Sequence, residues 1–152
     1  MASRKVLYLS QSELVMASYT QLYLHCVWST SRREPLITPA IEAEVYSLIA
    51  AKCRSLGCAA LAICGMSDHV HLLVRFDPML SISQLVGQVK GASAHAVNHA
   101  IRPDPPFKWQ DGYGAFTVSK RSIEIVRAYV LNQKAHHAGG SLLDELERSD
   151  EF

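Results

Sequence analysis

Residues 19–30 (YTQLYLHCVWST) crowd β-branched and aromatic side chains without helical spacing, which predicts a first strand. A polar, basic turn over residues 31–36 follows. Thr38-Pro39 then marks a helix start, because the hydroxyl can cap free N–H groups and proline in the first turn forfeits no hydrogen bond. Ile41, Val45, Leu48, Ile49 and Cys53 continue at helical spacing to Gly57, a natural stop. Residues 58–64 and 69–76 are strand-like runs joined by Gly65-Met66-Ser67-Asp68, a connection short enough to pair them antiparallel.

Asp77-Pro78 breaks the pattern, and over residues 81–100 the apolar positions Ile82, Leu85, Val86, Val89, Ala92 and Ala96 fit a second amphipathic helix. A proline-laden loop at 102–106 leads to an aromatic segment, 107–117, whose end predicts a fourth strand. A third helix is expected over 120–137, closed by Gly139-Gly140. The order β-α-β-β-α-β-α predicts an α+β, ferredoxin-like split βαβ: an antiparallel sheet with helices on one face and one appended C-terminal helix.

A chain of 152 residues, 49% hydrophobic and 19% charged, suits one compact domain. It is expected to span 19–140, with an N-terminal extension at 1–18 and an acidic C-terminal tail at 141–152. No apolar run reaches the roughly 20 residues that cross a bilayer, and the N-terminal stretch lacks the apolar segment and small-residue cleavage site of a leader. A cytoplasmic protein without a membrane partner is expected. Cys26, Cys53, Cys58 and Cys64 lie in apolar stretches with no CxxC spacing, which suits buried free thiols better than a zinc cluster. The net charge of +1 conceals an asymmetry: residues 144–152 hold five acids and one base, leaving 14 basic against 9 acidic residues, a body of +5. That balance permits a nucleic-acid partner without requiring one.

Side chains alternate across a strand, so His69, His71, Leu73 and Arg75 share one face while Val70, Leu72, Val74 and Phe76 share the other. The second face is expected to be core. The first presents two imidazoles close enough to share a metal ion, beside an arginine able to meet a phosphate. On the third helix Tyr129 and Gln133 are i and i+4 and stand on one face, so a tyrosine nucleophile and a third ligand can come from one element. His25 and His136 could line the same place as outer-shell groups, His136 fitting the tyrosine face better than His137. His95 and His99, also i and i+4, suit a helix surface. Asp68 is the only carboxylate beside the histidines, too little for a zinc hydrolase.

Three segments together resemble the HUH-type single-tyrosine transposases, the small enzymes of the simplest bacterial insertion sequences and their REP-associated relatives: Asp68-His69-Val70-His71-Leu72, residues 109–119 (WQDGYGAFTVS), and Tyr129 with Gln133, His136 and His137. The resemblance covers residues 19–138. It implies the ferredoxin-like fold, His69, His71 and Gln133 as ligands of Mg²⁺ or Mn²⁺, and Tyr129 as the nucleophile that cuts and rejoins single-stranded DNA through a 5′-phosphotyrosine. It also implies a homodimer acting on hairpin-marked DNA ends. Arg75, Lys90, Arg32, Arg33, Lys120 and Arg121 are candidate phosphate contacts, and Trp109 a candidate stacking platform. The alternative is a non-catalytic or domesticated hairpin-DNA-binding protein of the same fold.

Overall fold

Strands β1 (Tyr23–Ser29), β2 (Ala59–Gly65), β3 (His69–Arg75) and β4 (Gly114–Val118) form one sheet in the spatial order β2-β3-β1-β4. The structure, a computed structural model, describes residues 18–139. The expected extension, apart from Ser18, the tail and Gly140 therefore lie outside the described residues. Every neighbouring pair is antiparallel, so β1 and β2 run parallel with β3 between them. That is the split βαβ arrangement the element order predicts.

Helices α1 (Glu42–Ser55) and α2 (Ile82–Ala100) cover one side of the sheet. Leu24, Cys26 and Trp28 of β1 and Val70, Leu72 and Val74 of β3 point there, meeting Val45, Ile49 and Cys53 from α1 and Leu85, Val86 and Val89 from α2. Each aliphatic side chain fully buried in this way contributes roughly 1.5–3 kcal/mol. Ser81 caps α2, accepting from Gln84 N while the Gln84 side chain accepts from Ser81 N. The opposite side holds a smaller cluster, Ala62, Leu73, Val118 and Val130, under helix α3 (Ile123–Leu131). With both faces covered, β1 and β3 are buried along almost their whole length.

Three local expectations shift. Helix α1 begins at Glu42 because Pro39 to Ile41 form a turn, in which the Thr38 carbonyl, rather than its hydroxyl, receives Ile41 N and Glu42 N. The fourth strand occupies the end of its predicted segment. The third helix is divided: a 3₁₀ turn (Lys120–Ser122), then α3, then α4 (Gln133–Gly139) after a break at Asn132.

Two of the expected DNA contacts also have internal partners. Trp109 is 5% exposed, wedged edge-on between Trp28 and Phe107, with its indole N–H donated to Ser93 Oγ. It packs into the core and also borders the groove beside Lys108 and Gln110. Lys90 Nζ donates to the carbonyls of Gln110 (2.6 Å) and Gly112 (2.7 Å), which makes it a clamp on the loop before β4 rather than an open phosphate contact. Partial burial lowers its pKa from the ordinary lysine value.

Candidate active site

The start of β3 is pinned from three directions. Thr30 N donates to the Asp68 carbonyl at 2.8 Å, the Thr30 hydroxyl donates to Glu34 O at 2.6 Å, and Ile37 N donates to Ser67 O at 2.9 Å. Met66 N closes the hairpin on His69 O at 3.0 Å. The chain bends at Ser67 and Asp68 and enters the strand with His69 and His71 on the α3 side, their ring centroids 5.2 Å apart.

Each ring is held at Nδ1. His69 Nδ1 lies 2.7 Å from Asp68 Oδ1, and His71 Nδ1 lies 2.8 Å from His25 Nε2. His25 comes from β1, where the register sets it against Leu73 and Val27 against His71, making the two imidazoles diagonal neighbours stacked within 9°. A carboxylate accepts only, so His69 carries its proton on Nδ1 and keeps its lone pair on Nε2.

The helical side closes over this pair. The Tyr129 ring stands edge-on at 6.1 Å from His71 and 6.5 Å from His25, and the His137 ring lies 4.9 Å from His69. Gln133, one turn beyond Tyr129 and one before His137, is bracketed by those contacts and fully buried. Its Nε2 donates to Tyr129 O, while its Oε1 is buried with no hydrogen-bond partner among the described residues. A buried acceptor left unmatched costs about 1–3 kcal/mol. A divalent cation between two imidazoles and that amide oxygen would satisfy it, so the residues fit a metal. Among the described residues no group of three or more His, Cys, Asp or Glu is placed to hold one.

The four residues predicted for the core chemistry, His69, His71, Gln133 and Tyr129, are thus brought together, with His25 behind His71. His137, ranked behind His136 in the sequence, is the one whose ring meets His69; the side chain of His136 is outside the described residues. Arg75, Lys120 and Arg121 are exposed, as are Arg32 and Arg33. Arg32 lines a groove with Ser31, Lys108, Gln110 and Asp111. Arg33 reaches Asp68 Oδ2 at 3.5 Å. No described helix is long and apolar enough to cross a membrane.

A ferredoxin-like sheet with a histidine pair facing a helical tyrosine is the arrangement that the resemblance to single-tyrosine transposases implies. The chain belongs to the IS200-like transposase family, whose profile matches residues 18–133. The ISDra2 transposase TnpA of Deinococcus radiodurans is 26% identical over 121 residues, 74% of this chain and 84% of the relative. Two solved structures share the fold. One, a transposase from Deinococcus radiodurans, has a TM-score of 0.62 and 24% identity, covering 77% of this chain and 94% of its own. The other, a REP-associated tyrosine transposase bound to a REP hairpin, has a TM-score of 0.56 and 15% identity, covering 84% of this chain and 76% of its own.

Proposed function

We propose that the protein cuts and rejoins single-stranded DNA at hairpin-marked ends, with Tyr129 as nucleophile and His69, His71 and Gln133 holding Mg²⁺ or Mn²⁺. The observation that carries this is Tyr129 packed on His71 while the buried Gln133 Oε1 lacks a donor. The bound ion would polarise the scissile phosphate and offset its developing charge. Imidazole favours transition ions, so Mn²⁺ suits this donor set better than Mg²⁺.

The remaining steps belong to the chain. The Tyr129 oxygen bonds to phosphorus as the bond from phosphorus to the 3′ oxygen breaks; the phenol loses a proton and the departing oxygen gains one, leaving a 3′-hydroxyl. The 5′-phosphotyrosine retains the energy of the broken linkage, so attack by another 3′-hydroxyl reseals DNA and frees Tyr129. The Tyr129 side chain is 6% exposed, which restricts water as a competing attacker. His25 keeps the His71 ring oriented. The groove at Arg32 and Lys108, with Arg75, Arg33, Lys120 and Arg121, supplies cationic surface for the DNA backbone. Exposed Ile125 and Leu131 on α3 offer apolar surface for a second copy in a homodimer, working in the cytoplasm.

The test is a labelled hairpin oligonucleotide with a single-stranded flank, incubated with Mn²⁺ or Mg²⁺ and resolved under denaturing conditions. Wild type forms a covalent adduct; Tyr129→Phe binds the hairpin but forms none. An adduct that persists in Tyr129→Phe overturns the assignment.

A further inference from the structure

We propose that Asp68 is a positioning residue that fixes the tautomer and orientation of His69 and so governs how tightly the site holds its metal. The inference rests on His69, His71 and Gln133 forming the metal site. Consecutive residues of a regular strand point to opposite faces, so an aspartate directly before a ligand does not ordinarily reach its ring. Here it does, at 2.7 Å, because the backbone bends at Asp68 before the strand begins. The bend is held by Thr30 N, which donates to the Asp68 carbonyl at 2.8 Å.

The carboxylate is held at its other end too. Asp68 Oδ2 faces the Arg33 guanidinium. Arg32 and Arg33 both have φ of 54°, the left-handed region that residues other than glycine seldom adopt. Arg33 N donates to Thr30 O, fixing the turn on the same residue that fixes Asp68. Strained backbone of this kind persists where surrounding contacts impose it. Asp68 is therefore oriented by its backbone and by a cation, with Oδ1 directed at His69 Nδ1.

The two ligands are consequently unequal. His71 Nδ1 meets the imidazole of His25, whereas His69 Nδ1 meets a carboxylate, which can only accept and so locks the Nδ1–H tautomer. Asp68 is thus what fixes the presentation of His69 Nε2.

Two measurements on the whole chain test this: Mn²⁺ affinity by calorimetry, and the His69 tautomer in metal-free protein by ¹⁵N NMR of the imidazoles. Asp68→Ala is expected to weaken Mn²⁺ binding about 10–100-fold and to convert His69 to a tautomer mixture, leaving His71 unchanged. Asp68→Asn, whose amide oxygen can still accept from Nδ1, restores the tautomer and most of the affinity. Arg33→Ala, removing a long and exposed bridge, costs less than about fivefold. The inference is overturned if Asp68→Ala leaves affinity and tautomer as in wild type, if affinity falls while the tautomer stays fixed, which would make Asp68 itself a ligand, or if Arg33→Ala equals Asp68→Ala. Wild-type protein that binds no Mn²⁺ would instead overturn the metal site and this inference with it.

Discussion

Gly65 and His69 approach so closely across the hairpin that a β-carbon on Gly65 would stand 2.1 Å from the His69 carbonyl oxygen. The obstacle is backbone, which cannot rotate away, so Gly65→Ala fits only if the start of β3 moves and carries His69 with it. The substitution is expected to cost about 1–3 kcal/mol by urea unfolding. It should also weaken Mn²⁺ binding in the folded fraction; a loss of stability alone would show that the ligand tolerates the shift.

Trp109 serves the core rather than the DNA. Trp109→Phe removes the hydrogen bond to Ser93 Oγ and leaves a small void beside Trp28. Stability is expected to fall by about 1–3 kcal/mol. Hairpin affinity, measured by fluorescence anisotropy well below the unfolding transition, should stay within about twofold, the scale on which a stacking role worth about 1–3 kcal/mol per base would be obvious.

The ammonium of Lys90 is engaged by the Gln110 and Gly112 carbonyls. Lys90→Met should therefore loosen the loop ahead of β4, seen as faster amide hydrogen exchange over 110–114, at a cost of about 1 kcal/mol. The slope of DNA affinity against salt should not change, since no phosphate contact is lost.

Burial pushes the Cys26 and Cys53 thiols up to about 12. In the unfolded chain they ionise near 9.0. Between those values the folded protein binds more protons than the unfolded one, so stability is intact below pH 9 and falls as pH rises towards 12. Each thiol can contribute a slope of up to about 1.4 kcal/mol per pH unit. Tyr46, also raised by burial and by its hydrogen bond to Glu42, adds to the same trend at higher pH. Chemical denaturation at pH 8, 9 and 10 should show this decline, shallower in a Cys26→Ala/Cys53→Ala protein. At pH 8 a thiol reagent should modify the half-buried Cys64 well before either.

The strand pair and the shared face of His69 and His71 are legible in the sequence because a period of two residues needs no tertiary information. The same holds for Tyr129 and Gln133, one turn apart. His137 ranks behind His136 on a helical wheel drawn through 120–137 because that wheel assumes one continuous helix, whereas the helix breaks at Asn132. The bond from His25 to His71 depends on the pairing register of strands 46 positions apart, which no local pattern specifies. Trp109 and Lys90 look like nucleic-acid contacts in a list of basic and aromatic residues; only burial and two backbone carbonyls reveal that both are occupied internally.

The order in which the pieces enter the site has a consequence for the living cell. His25, His69 and His71 precede Tyr129 along the chain, and the helix bearing the tyrosine packs onto a sheet whose four strands all come before it. A polypeptide still emerging from the ribosome, or one whose last helix has undocked, carries the imidazoles without the nucleophile. On the proposed role of Tyr129, strand breakage would wait until that helix has docked on the sheet, so the topology itself would act as a safety catch.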